Sequence, residues 1–515
     1  MTKKILYVPL DERPCNYIYP QYIAEIGGVP YEVPPLSILG KRKHPADAEK
    51  VWEWIWSHAV NASHLVISMD MLTYGGILPS RLHHLTGETC SDRLNRLRTL
   101  KKKNPGLTVY AFQLITRAPA RNGSGEEPDY YEEYGYDIYR YGVISDMESV
   151  GTAGDTDLQE KKRILLRVPP EFLNDYIARR KINFDSNVQS IGLAAEGVID
   201  TLIIPLDDCK EYGYAPSERK QLAKLLAKKS MLSKVTMYPG ADEIGCTLMA
   251  RAIADMTRIH PKLWVDYSSN HGKLTIPTYE DRSIGETTPH HILSAGGETA
   301  LDLSEADGAL MVNPPTVFSL RMEKELITDD ILLETERNLK NFTERIKALK
   351  RRKIDCFVAD SAIPNGADRA LMRFLYEQDL LDEIEGYAGW NTSSNTMGTV
   401  VAHAIAYSCA KQSGSLNAYA LQKSKEFRYF RYLEDWGYMS EVRRHITENL
   451  NQFGEGLNAL DLKDKEPQVA QAACVKLRQF QRKFLPQYNY EFSACLPWNR
   501  MFEIELKISG SDAAL

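Results

Sequence analysis

What most constrains the fold of this chain is a recurrence of short apolar runs separated by amphipathic stretches. The clearest runs are Ile5–Leu10, Leu65–Met69, Thr108–Leu114, Leu202–Leu206, Lys234–Tyr238, Leu263–Tyr267, Ala309–Val312, Asp355–Ala359 and Ile384–Ala388, with a weaker one at Pro30–Val33. Most are continuously apolar rather than alternating, the pattern of strands covered on both faces of a parallel sheet. Between them lie stretches with helical periodicity, among them Ser217–Lys228, Cys246–Thr257 and Asp329–Lys350. Such alternation predicts an α/β fold. The preferred arrangement is a (β/α)8-like barrel with insertions. The alternative is two doubly wound, Rossmann-like halves divided near His260. The catalytic α/β domain then spans residues 1–410, with the helical stretch Tyr130–Ala195 as an insertion. Residues 411–515 are helical, charged and rich in aromatics (Phe427, Tyr429, Phe430, Tyr432, Trp436), end in a strand-like Phe502–Ile508, and read as a mainly helical C-terminal region.

Charge and cysteine usage narrow the class. The 515-residue chain carries a formal net charge of -6. That provides neither a basic footprint for nucleic acid nor a polybasic segment for a membrane surface. The apolar run after Met-Thr-Lys-Lys is too short for a signal-peptide core, and no stretch approaches the ~20 apolar residues of a transmembrane helix. The eight cysteines are scattered without a CxxC pair, as expected of reduced thiols in a cytoplasmic protein. HExxH, paired-cysteine zinc spacing, EF-hand, GxxxxGK[ST], GxGxxG and GxSxG signatures are missing, so neither a metal nor another cofactor is expected. The adjacent pairs His83-His84 and His290-His291 do not share a helix face and are not read as ligands.

Polar groups follow nearly every run, and in parallel α/β folds the site forms at the C-terminal strand ends. The first run leads to Asp11 and Arg13, a local ion pair or a ligand contact. Next come Asp70, Tyr74-Gly75-Gly76 and Arg81, in which the glycines make either a tight turn or a close approach to a ligand. The most informative segment is Ile203-Ile204-Pro205-Leu206-Asp207-Asp208. Two adjacent acids after a buried strand point to different sides, which separates their pKa values and suits one acid/base and one orienting carboxylate. Asp242 and Glu243 open a helix and either cap it or join the site. Asp360, Asn365 and Asp368, then Trp390, Asn391 and Asn395, suit a polyol: Trp390 and Tyr74 as stacking faces, the amides for hydroxyls.

Together these motifs resemble a large bacterial family known as domain of unknown function 4127. Its hallmarks stand here as Leu10-Asp11-Glu12-Arg13-Pro14, Asp70 to Arg81, Leu206-Asp207-Asp208, Asn365 to Asp368 and Gly389 to Gly398. The order of strand-end motifs is also similar to that of O-GlcNAcase-like barrel glycosidases, which carry an Asp-Asp pair after the fourth barrel strand. That resemblance implies Asp207 as the carboxylate orienting the substrate's acetamido group, Asp208 as general acid/base, and Asn365 and Asn391 as sugar-binding amides. The expected function is therefore a glycoside hydrolase acting on a small carbohydrate, N-acetylated if the acetamido group takes part. Asp11, Arg13, Asp70, Tyr74, Arg81, Asp242, Glu243, Asp360, Asn365, Asp368, Trp390, Asn391 and Asn395 are the candidate substrate contacts. The alternatives are a divalent-metal hydrolase or lyase using Asp11, Asp70, Asp208, Asp242 and Asp360, and a non-catalytic sugar-binding module. The aromatic C-terminal region suits a lid or a subunit interface, so a homo-oligomer is compatible with the sequence.

Overall fold

The computed structural model describes residues 4–316, 335–488 and 490–509. They fall into two compact units. Unit 1 comprises residues 4–21, Val29–Ala252 and Tyr279–Asp281; unit 2 comprises Tyr22–Gly28, Ile253–Thr278 and residues 282–509. The apolar runs become strands: β1 (Lys4–Val8), β2 (Tyr31–Glu32), β3 (Ala62–Ser68), β4 (Thr108–Phe112), β5 (Thr201–Leu206), β6 (Val235–Pro239), β7 (Lys262–Tyr267), β8 (Glu298–Thr299), β9 (Gly308–Asn313), β10 (Cys356–Asp360) and β11 (Gly386–Ala388), with β12 (Glu491–Cys495) and β13 (Glu505–Ser509) near the C-terminal end.

Unit 1 is built on a six-stranded sheet of order β2-β1-β3-β4-β5-β6, every neighbouring pair parallel. Unit 2 holds a five-stranded sheet of order β11-β10-β9-β7-β8, also parallel throughout. Neither sheet closes on itself, so the expected barrel is corrected to two open sheets. The reason lies in strand order. Each sheet adds its second strand on one side of the first and its third on the other, an order seen in doubly wound folds. A barrel needs each strand beside its sequence neighbours all the way round. The crevice at the reversal, between β1 and β3 in unit 1 and between β7 and β9 in unit 2, is where such sheets bind ligands.

The stretch expected to be helical between β4 and β5 forms helices Tyr131–Ser149, Asp155–Arg167 and Pro170–Ala195. The helix expected over Asp329–Lys350 is seen as Leu339–Arg351, its first six positions lying outside the described residues. In the C-terminal region, helix Glu466–Phe484 packs Leu477 and Phe480 into one core with Phe492 and Leu506 of the β12–β13 hairpin and with Tyr432 and Trp436. Each fully buried large apolar side chain contributes about 1.5–3 kcal/mol. β10 is buried along its whole length, which explains why it reads as an unbroken apolar run before its terminal aspartate.

Candidate active site

In unit 1 the strand ends carry two buried ionic clusters. The first joins the end of β1 to the end of β6. Arg13 donates from Nε (2.9 Å) and Nη2 (2.7 Å) to Asp11 Oδ2, and from Nη2 (2.5 Å) and Nη1 (3.3 Å) to Asp242. Asn16 Nδ2 bridges the two carboxylates, 3.0 Å from each. Asp11, Arg13 and Asp242 are all buried. The local Asp11–Arg13 pair is present, completed by an acid 229 residues away. Asp242 takes Arg13, two residues before the helix that starts at Ile244.

Its neighbour Glu243 turns back so that Oε2 accepts the Ala241 N–H at 2.9 Å. The residue is 0% exposed. Oε1 has no hydrogen-bond partner among the described residues, and a Cβ on Gly240 would lie 2.0 Å from it. Only glycine, here at φ 151°, leaves room for this carboxyl. Burial, with Asp242 and Glu280 adding to it, raises the Glu243 carboxyl to about 8, although the amide hydrogen bond opposes the rise.

The second cluster joins the ends of β3, β4 and β5. Ser68 caps a short helix, Met69–Tyr74, by accepting the Met71 N–H. This sets Asp70 in its first turn, where Oδ2 accepts the Leu114 N–H from just beyond β4 at 2.9 Å. Burial first, and then the nearby Asp207 charge, raise Asp70 to about 7 against that hydrogen bond and Arg81. Gly75 ends the helix at φ 89°, and a Cβ there would lie 2.6 Å from the Ala46 nitrogen. The glycine pair therefore makes a turn packed on its own chain.

From the following helix, Ile77–Leu82, Arg81 Nη2 donates to Asp207 Oδ2 at 2.7 Å. Its Nη1 lies 3.3 Å from both Glu126 and Glu127. Arg117, in the loop after β4, reaches Asp208 Oδ2 at 3.0 Å, Glu126 at 2.5 Å and Glu127 at 3.4 Å. Four carboxylates thus share two guanidinium groups. Asp207 is buried, 7% exposed, whereas the Asp208 side chain keeps 27% of its surface. Asp208 has φ 42°, a left-handed conformation that a non-glycine residue adopts at a cost. Burial and the Asp207 charge push the Asp208 carboxyl upward, while Arg117 and Arg81 pull it down. Oδ1 of Asp208 has no partner among the described residues.

Apart from Tyr74, the remaining candidates lie in unit 2. Asp360 Oδ1 accepts from Asn313 Nδ2 (3.0 Å), and Oδ2 from the Tyr387 hydroxyl (2.9 Å) and the Asp368 N–H (2.8 Å). Asn313 Nδ2 also donates to Asp368, which pairs with Arg337. Asp435 accepts the Gly389 N–H at 2.8 Å and pairs with Arg431. Burial raises both Asp360 and Asp435, and each is pushed further by acidic neighbours. The stacking roles expected of Tyr74 and Trp390 are not supported. Tyr74 is 3% exposed and stacked on His83 at 4.6 Å. Trp390 is 6% exposed, with its indole N–H donated to Thr399. The Asn395 amide bonds the capping Thr392 hydroxyl. Asn365 and Asn391 sit side by side, the Asn365 N–H donating to Asn391 O at 2.8 Å.

Sequence reasoning missed Arg117, Glu126 and Glu127, although they follow a strand end and the same logic points to them. Asn313, the last residue of β9, was also within its reach. Arg337 and Asp435 carry no local signal. Among the described residues no three His, Cys, Asp or Glu side chains form a group able to hold a metal ion. No described helix is long and apolar enough to cross a membrane.

A solved UDP-glucosyltransferase from Polygonum tinctorium, capable of glucosylating indoxyl and complexed with 3,4-dichloroaniline, aligns with 83% of this chain and 94% of its own at 9% identity. Its TM-score of 0.16 carries no argument about fold or activity. Comparison with curated proteins gives no match. Residues 5–507, nearly the whole length and both sheets with their strand-end clusters, match the family described as "Protein of unknown function (DUF4127)", and the chain belongs to that family.

Proposed function

We propose that the protein is a glycoside hydrolase in which Asp208 is the general acid/base and Asp207 the orienting carboxylate. The observation that carries this reading is the asymmetry of the pair. Asp207 is buried and fixed by Arg81, while the Asp208 side chain is part-exposed, with one oxygen held by Arg117 and the other without a partner among the described residues. A group that moves a proton to a substrate oxygen needs one accessible oxygen and a carboxyl raised toward neutrality; Asp208 combines them. The strained backbone at Asp208 supports the same assignment, because strain kept at a strand end is more often tied to a site than to packing. Asp70, raised to about 7 by burial with the Asp207 charge adding to it, is drawn toward neutrality beside the pair.

The substrate is a small neutral glycoside. Both guanidinium groups of the second cluster are committed to carboxylates, which disfavours a phosphate or uronate. An N-acetylated sugar is the variant in which Asp207 would orient the acetamido group. The test is a panel of neutral aryl glycosides, N-acetylhexosaminides included, assayed with the wild type and Asp208→Asn. Turnover of at least one glycoside, lost about 10²–10⁴-fold in the variant, supports the reading. Full activity in Asp208→Asn, or no turnover of any glycoside, refutes it.

A further inference from the structure

We infer a second binding site, built from unit 2 alone, in which Ser361, Asn365 and Asn391 take a neutral hydroxyl-rich ligand. The starting point is Ser361, the residue directly after β10. Its N–H continues the parallel ladder by donating to Asn313 O at 2.9 Å. The residue is 6% exposed, yet its hydroxyl has no partner among the described residues. An unsatisfied buried hydroxyl costs about 1–3 kcal/mol, so it calls for an account.

Strand alternation says where that hydroxyl points. Asp360 faces Tyr387 and shares its side of the sheet with Cys356 and Val358, which belong to the core formed with the C-terminal helices. Phe357 lies on the opposite face, its ring 5.7 Å from His403 and 5.8 Å from Tyr407 of the helix Ser393–Ser413. Ser361 shares the Phe357 face. That helix begins just beyond the end of β11 and covers the face of the sheet that Ser361 shares.

Two asparagines lie at the same end. Asn365 (φ 60°) and Asn391 (φ 51°) both adopt the left-handed conformation that asparagine tolerates better than most residues, and they are joined by the Asn365 N–H to Asn391 O bond. Both side chains are partly exposed, and neither amide has a partner among the described residues. An amide offers a donor and an acceptor together, the pattern that matches a vicinal diol. The charge balance argues against an anion. Asp360 adjoins Ser361 and Asp435 holds the Gly389 N–H. Arg337 and Arg431 are paired with Asp368 and with Asp435 and Glu434.

The inference stands independently of the reaction assigned to unit 1. It is tested by calorimetric titration of the full-length protein with glucose, N-acetylglucosamine and inorganic phosphate. One of the two sugars is expected to bind, and Ser361→Ala and Asn391→Gly are each expected to weaken it about fivefold to tenfold, the effect of one lost hydrogen bond. Asp208→Asn should leave that binding unchanged. Ser361→Ala removes a buried hydroxyl with no internal partner, so without ligand it should melt at or above the wild type; Asn391→Gly keeps the left-handed backbone, so it should melt close to the wild type. Sugar binding that falls with Asp208→Asn but not with the unit 2 variants overturns the site. So does no sugar binding at millimolar concentration, and phosphate binding in its place overturns the neutral class.

Discussion

Replacing Glu243 with glutamine keeps the shape of a side chain wedged against Gly240 and removes its ionisation. The folded carboxyl sits at about 8 and the ordinary value is 4.5. A raised carboxyl keeps its proton in the folded state after the unfolded chain has lost one. Its stabilising effect is complete below pH 4.5 and is lost as pH climbs through about 8. At about 1.36 kcal/mol per pH unit the loss is at most ~5 kcal/mol; local opening to water reduces it. Glutamine never ionises and escapes that loss. Thermal melts at pH 4.5 and pH 9 read the difference directly. The variant and wild type should melt within a degree or two of each other at the lower pH. At the higher pH the variant should melt above wild type by up to about 10–20 °C, at roughly 2–4 °C per kcal/mol in a domain of this size. An equal difference at both pH values, or a less stable variant at pH 9, would show that Glu243 ionises normally and that burial does not govern it.

Arg13→Ala leaves Asp11 and Asp242 buried without their cation and should destabilise unit 1 by about 3–5 kcal/mol, seen as a lower denaturation midpoint. Arg117→Gln removes a charge that holds Asp208 down, so the alkaline limb of the pH–rate profile should move to higher pH; an unmoved limb would mean that Arg117 does not set the acid. Dialysis against EDTA should leave turnover intact if carboxylates alone supply the proton chemistry, and a loss restored by Mg²⁺ or Mn²⁺ would favour the metal-dependent reading.

Much of the secondary structure was legible because it is local. Each of the ten apolar runs became a strand, and the end of β5 could be read to the residue. The barrel was not legible, because strand–helix alternation is common to barrels and open sheets. What separates them is whether two-residue strands such as β2 and β8 pair outside the first strand of their sheet, a long-range choice with no sequence period. The site shows the same division. Asp207 beside Arg81, and Asp360 beside Asp368, join residues that strand-end logic singled out separately. The Arg13–Asp242 pair links positions 229 apart, so only the fold could show that Asp11 and Asp242 hold one arginine. Tyr74 and Trp390 misled because an aromatic beside polar residues looks alike in sequence whether its ring faces solvent or core.

The central claim is that Asp208 delivers a proton to the departing oxygen, and leaving-group dependence tests it most directly. On a glycoside accepted by the wild type, kcat/KM of Asp208→Asn should fall about 10²–10⁴-fold for an alkyl leaving group, which needs protonation. It should fall far less for a dinitrophenyl leaving group, which departs without it. An equal loss on both substrates, or no loss on the alkyl glycoside, would contradict the assignment.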